Sequence, residues 1–368
     1  MEETQIVTAV WLVTALGVAL LSSTACAGST RLDPPAQTPR QQADCPGSPY
    51  GEAQRRPWGA IGSWVYWLDG PRLDQIGPSG YDLAVIDYSQ DGSANAEFSA
   101  DAITALRAGG CGRRVVAYLS IGEAEDYRFY WQAGWRPGNP SWITARNTRW
   151  KGNYLVQFWT PEWQALVRQY VDRIVAAGFD GIYLDRVDAY QEPRLRGHEQ
   201  DMVNFVLDIA AYARARSPLG DDFGVFVQNA EELGARHPDY VDQLTGIGRE
   251  ETYVLATNHP VDDTQSAATE ALLNLFRRSD GSGLILTVDY ADQADLIADA
   301  CIRSSAQGFV PYVGPVGLDR MTLDAGGGPV CEANKGGATA VGARPDRRAL
   351  GSAIVVSVHG PKSSASTS

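Results

Sequence analysis

Two segments of the 368-residue sequence place carboxylates where an apolar run stops. In GFDGIYLDRVDAY (178–190), Ile182, Tyr183 and Leu184 lead into Asp185, and Asp188 follows three residues on. In LTGIGREET (244–252), two glycines and Ile247 lead, past Arg249, into Glu250. A pair of acids can do general acid–base or nucleophilic work when burial keeps one of them protonated while the other is ionised. Opposed across a sugar-sized gap, such a pair suits glycoside hydrolysis: one carboxylate attacks or activates water, and the other protonates the leaving oxygen. Metal-assisted phosphoester hydrolysis is a competing chemistry. It needs clustered ligands, and His198, His237, His259 and His359 are scattered without ligand spacing, so neither a metal nor another cofactor is expected.

These acids need a scaffold that brings distant strand ends together. Eight runs rich in β-branched and aromatic residues read as strands buried on both faces: 64–68, 83–89, 114–120, 181–185, 224–230, 244–252, 283–290 and 309–314. Helical segments alternate with them, at 101–108, 160–178, 196–215, 262–278 and 292–306. In the second, Thr160 can N-cap, Pro161 suits the first turn and Gly178 the C-terminal exit. The alternation over about 250 residues predicts a (β/α)8 TIM barrel. A doubly wound open sheet is the rival, but no Gly-rich phosphate turn follows the first strand. In a barrel, chemistry sits at the carboxyl ends of the strands. Period-two alternation turns Tyr183 and Asp185 to one face, and Gly246, Gly248 and Glu250 to one face. The same alternation turns Glu251 away, and the two glycines are expected to leave room for a ligand.

Other acids near strand ends have plainer readings beside the functional one. Asp180 and Asp188 could cap or hold loops, Glu125 and Asp126 could be solvated loop charges, and Asp87 and Asp289 could anchor loops by hydrogen bonds. Ten tryptophans and sixteen tyrosines are many, and Trp67, Tyr118, Tyr290 and Tyr312 fall in or beside strand ends. Rings stack on the apolar faces of sugars, so Trp67 and Tyr312 are candidate platforms. About half of all the rings are expected to be core.

A net charge of −13 argues against nucleic acid or an anionic membrane surface and is compatible with a cationic ligand. Residues 1–26 hold a 16-residue apolar run followed by small residues, which reads as an export leader with a lipoprotein-like Cys26. A lipid anchor there would be the sole membrane attachment. Residues 27–57 read as a flexible linker, 58–332 as the barrel domain and 333–368 as a low-complexity tail. Cys45, Cys111, Cys301 and Cys331 make an even count in an exported chain, which suggests two disulfides in one of three pairings.

Taken together, YDLAVIDYS, VVAYLSIGEAEDYRFYW, FDGIYLDRVDAY, FVQNAEEL and GIGREETY resemble glycoside hydrolase family 114, especially its bacterial branch, over roughly residues 60–318. The resemblance implies a (β/α)8 barrel and endo-acting α-1,4-galactosaminidase-type cleavage of a polysaccharide or oligosaccharide. It implies Asp185, at the end of the fourth strand, as nucleophile and Glu250, at the end of the sixth, as acid/base. It marks Asp87, Tyr118, Glu123, Asp188 and Asn229 as pocket residues. The characterised galactosaminidases read D-P-D at the fourth strand, where this chain has Tyr183-Leu184-Asp185. A glycan-binding barrel without turnover is the alternative function. On the family reading, acids at the rim (Glu123, Glu125, Asp126, Asp188) would attract a cationic, de-N-acetylated glycan.

Overall fold

The computed structural model describes residues 54–278 and 282–331. Each of the eight apolar runs contains a strand: β1 (Trp64–Trp67), β2 (Leu83–Ile86), β3 (Arg114–Ser120), β4 (Gly181–Asp185), β5 (Gly224–Gln228), β6 (Gly246–Glu250), β7 (Leu284–Tyr290) and β8 (Val310–Gly314). All pair in parallel, in chain order. β1 and β8 meet through side chains, the Trp64 indole N–H donating to the Val310 carbonyl at 2.9 Å. Helices α1 (Leu73–Ile76), α2 (Ala100–Ala108), α3 (Pro161–Ala176), α4 (Glu199–Arg216), α5 (Leu233–Arg236), α6 (Pro238–Asp242), α7 (Asp263–Leu273) and α8 (Ala294–Ala306) alternate with the strands. The fold is a nearly closed TIM-like barrel, and the sequential strand order excludes the doubly wound sheet.

Local chemistry explains the helix that follows β3. In α3, Pro161 occupies the first turn, and Trp163, Val167, Tyr170, Val171 and Ile174 form the buried stripe. Gly178 leaves the helix at φ 78°, a conformation that suits a residue without Cβ. Thr160 does not cap as expected: its hydroxyl donates back to the Gln157 carbonyl at 2.8 Å.

The barrel interior corrects one expectation. It is filled with rings, Trp64 lying 5.5 Å from Tyr66 and Tyr66 lying 5.3 Å from Tyr183, with Phe226 and Tyr312 beside them. A Cβ at Gly248 would fall 1.7 Å from the Tyr183 hydroxyl, and one at Gly246 would fall 2.1 Å from the Leu284 carbonyl oxygen. The glycines therefore admit a neighbouring ring and a neighbouring backbone, not a ligand.

At the opposite end from the candidate site, Asp180 is fully buried. It is bound by Arg55 (2.5 Å), Arg107 (3.2 Å) and the Val115 N–H (2.9 Å), which gives it a structural role. Between β3 and α3 the chain adds a three-stranded antiparallel sheet, Glu123–Glu125, Asn153–Val156 and Ile143–Arg146, with the second strand central. Glu125 is thus a buried strand residue rather than a solvated loop charge. After β8 the chain returns over the β1–β8 seam, where the Leu68 and Asp69 N–H groups both donate to the Leu318 carbonyl. A Cys301–Cys331 disulfide then ties it to α8. The leader, most of the linker, Cys26, Cys45 with its expected pairing, and the tail lie outside the described residues.

Candidate active site

β4 and β6 carry Asp185 and Glu250 to the carboxyl-terminal rim, where both line a cleft of about 2060 Å³. Pockets for one small ligand measure roughly 300–1,000 Å³, so this cleft has room for several sugar rings. Asp185 Oδ2 accepts from the Tyr118 hydroxyl at 2.7 Å, and Oδ1 accepts from the Arg186 backbone N–H at 2.6 Å. Glu250 Oε2 accepts from the Asn229 amide at 3.3 Å, and Oε1 accepts from the Tyr290 hydroxyl. The Glu250 N–H in turn donates to Asn229 Oδ1 at 3.1 Å, so Asn229 grips both the backbone and the side chain of Glu250.

Backbone strain gathers at the same strand ends. Arg186 (φ 59°), Asn229 (φ 60°), Ala230 (φ 55°) and Glu251 (φ 54°) are all left-handed, at about 1 kcal/mol or more each. At Arg186 this turn aims the N–H at Asp185. Its guanidinium then fans out to Glu123 (3.1 Å), Asp188 (3.3 Å) and Glu192 (2.9 Å).

Burial, and then the charge of Glu250, push Asp185 up to about 7, against the opposing Tyr118 hydrogen bond. Burial, and then the nearby carboxylates, hold the hydroxyls of Tyr118 and Tyr290 protonated, so they serve as donors. Asp87 is pushed up to about 6 by burial, although Arg128 pairs with it at 2.6 Å. The Arg128 guanidinium also binds Glu125 at 2.6 Å. Burial raises Glu123 as well, against its pairing with Arg186.

The structure brings Asp87, Tyr118, Glu123, Asp185, Asp188, Asn229 and Glu250 to this one cleft. It does not bring Trp67 or Tyr312. Both are buried in the core, Trp67 donating to the Asp69 carbonyl and Tyr312 packed on Trp64 and Tyr81 with its hydroxyl bound to the Thr322 N–H. Glu251, turned away by parity, does line the cleft, because its left-handed backbone breaks the alternation. The rim acids are not free charges: Arg186 holds Glu123 and Asp188, and Arg128 holds Glu125, while Asp126 is not among the cleft residues. Sequence reasoning passed over Arg186 and Gln228. Two signals were present: Arg186 adjoins Asp185 inside the quoted motif, and Gln228 shares the face of Phe226.

A parallel barrel that gathers strand-end acids around a ring-walled, sugar-sized cleft has the architecture of a glycosidase. The chain belongs to glycoside-hydrolase family GH114, whose model matches residues 48–329. An uncharacterized protein of Deinococcus radiodurans is 38% identical over 312 residues, which cover 83% of this chain and 97% of the relative. One from Thermotoga maritima is 35% identical over 280 residues, covering 72% and 84%. Among solved structures, the glycoside hydrolase domain of PelA from Pseudomonas aeruginosa superposes with a TM-score of 0.53 at 17% identity, over 71% of this chain and 97% of that one. Ega3 of Aspergillus fumigatus, solved in complex with galactosamine, gives 0.52 at 17%, over 73% and 98%. At that identity the likeness is one of fold.

Proposed function

We propose that the protein is an exported hydrolase that cleaves α-linked galactosamine-type polysaccharide with retention, Asp185 acting as nucleophile and Glu250 as acid/base. One observation carries the choice of pair. Apart from the exposed Asp69 and Asp91 and the loosely paired Glu251, the other carboxylates lining the cleft each have an arginine partner within 3.7 Å, whereas Asp185 and Glu250 are held by neutral donors. Charges left unneutralised inside a cleft are available for chemistry.

In this mechanism an Asp185 oxygen attacks the anomeric carbon while Glu250 gives a proton to the departing glycosidic oxygen. Glu250 then takes a proton from water, whose oxygen displaces Asp185 at the same carbon. Attack needs Asp185 ionised. An ammonium group on a bound galactosamine would favour that form by direct attraction, which supports a cationic sugar at this position. The apolar leader run, and a disulfide between Cys301 and Cys331, support export.

The test is incubation with galactosamine-, N-acetylgalactosamine- and galactose-based α-glycans, with products read by mass spectrometry and the first-formed anomer by NMR. Cleavage of the galactosamine glycan to α-anomers is expected, with Asp185→Asn and Glu250→Gln each losing about a thousandfold or more in kcat. β-Anomers would overturn the retaining assignment. Preference for the acetylated glycan would overturn the cationic substrate, and binding without turnover would make the protein a glycan-binding barrel.

A further inference from the structure

The wall contributed by the insertion after β3 differs in sign from the acids at the cleft floor. Its turn, Asn147 to Gly152, joins two strands of the small sheet and lines the cleft. The turn is firmly built. Asn147 Oδ1 accepts from the Arg149 N–H (2.8 Å) and the Trp150 N–H (3.1 Å), and its amide donates to the buried Glu123 (3.0 Å). The Asp126 N–H donates to the Gly152 carbonyl at 2.8 Å, and Gly152 stands at φ 95°, where a Cβ would lie 2.9 Å from Asp126 Oδ1.

What the turn presents has no use within the fold. Trp150 is 47% exposed, and the Arg149 guanidinium lies 5.7 Å from its ring. The carboxylate nearest Arg149 is Glu251, at 4.0 Å. Among the described residues, Lys151 has no carboxylate within ion-pair distance, as is also true of Arg146 and Arg196 in the same cleft, whereas Arg128, Arg186, Arg236 and Arg249 are paired. An exposed indole flanked by two weakly engaged cations is unexpected in a chain of net charge −13.

We propose that this turn is a second glycan subsite, in which Trp150 stacks a sugar ring while Arg149 and Lys151 bind an anionic group on that sugar or its neighbour. The group is a uronate carboxylate or a sulfate or phosphate ester, for which a guanidinium fork and an ammonium are suited. The inference rests on the cleft being a polysaccharide site. It narrows the substrate class to galactosamine-type glycans that also carry acidic units. The rigid turn sets the ring in advance, so little ordering cost falls on binding.

The probes are α-1,4-linked galacturonate oligosaccharides, which have the galacto ring and the linkage proposed for the substrate and a carboxylate on each ring, together with their carboxyl-reduced forms, unsulfated and sulfated. Binding is followed by tryptophan fluorescence and calorimetry on Asp185→Asn, with and without added Trp150→Ala or Arg149→Ala/Lys151→Ala. The anionic forms are expected to bind about tenfold tighter than the unsulfated carboxyl-reduced form, and added salt narrows the gap. Arg149→Ala/Lys151→Ala should erase that preference, and Trp150→Ala should remove the fluorescence change. Tight binding of the sulfated form alone would support the subsite and assign it to ester groups. Equal binding of anionic and unsulfated reduced forms, or a preference that survives Arg149→Ala/Lys151→Ala, overturns it. Turnover of galactosamine oligosaccharides by the unaltered protein is measured separately. If it is present without the anion preference, the subsite fails and the hydrolase reading stands. If it is absent with the preference intact, the hydrolase reading fails and the subsite stands.

Discussion

Burial and the charge of Glu250 both favour the neutral form of Asp185 and push its carboxyl up to about 7. If Asp185 is the nucleophile, kcat/KM, which reports the free protein, should rise with pH through about 7. For a de-N-acetylated substrate the corresponding limb of kcat should lie at lower pH, because the bound ammonium favours the carboxylate; matching pH–rate profiles check this. Removing the neighbouring charge with Glu250→Gln should lower the pH at which Asp185 titrates, as read by carboxyl NMR. The same raised value is a stability statement. The folded state holds this proton more tightly than the unfolded chain, so the contribution is fully present below the unfolded value and is lost as pH rises through about 7. Asp185→Asn should therefore raise Tm by a few degrees at pH 8 and by less at pH 5, in calorimetric scans. At this scale the position of Asp185, Glu250 and Asn229 at the cleft was legible from the strand ends, and that of the first two from parity as well. The sequence was silent on Arg186, whose left-handed φ exists only through the packed turn, and misleading on Trp67 and Tyr312, since a ring near a strand end serves core and cleft equally well.

Elements differ in how they announce themselves. The eight barrel strands stand out because burial on both faces demands unbroken apolar runs. The small sheet after β3 could not be read in this way: EAE and NYLV carry too little apolar pattern, and their pairing is fixed by partners about thirty residues away. That sheet is pinned at the buried Arg128, which bridges Glu125 to Asp87 after β2 and lies 5.5 Å from the Tyr170 ring on α3. Arg128→Met would leave two carboxylates in the interior without their cation. A loss of about 3–5 kcal/mol is expected in urea unfolding, together with loosening of the 121–158 insertion in hydrogen exchange. Inside the barrel, Gly248→Ala should cost about 1–3 kcal/mol because its methyl collides with the Tyr183 ring. Tyr183→Phe removes the nearest atom of that clash, so the double variant should lose less than the sum of the single variants, which a double-mutant cycle measures.

Across the whole molecule, the chain beyond β8 acts as a clasp. It crosses the seam where β1 and β8 meet, contributes Val316, Gly317 and Leu318 to the cleft, and is fastened by Cys301–Cys331 across a separation of 30 residues. Cys331→Ser should lower stability by about 3–4 kcal/mol on chain-entropy grounds, and reductant should lower it at least as far in the unaltered protein, because it also opens the disulfide at Cys111. The barrel class was legible from alternating strands and helices. Which cysteines join was not, because four cysteines allow three pairings and only the path of the chain selects one. The ring-packed interior governs traffic as well as stability. Among the described residues, Trp64, Tyr66, Tyr183, Phe226 and Tyr312 fill the barrel axis below the cleft. On the proposed two-step route, water would therefore have to reach the anomeric carbon from the carboxyl-terminal rim, on the side the severed fragment leaves.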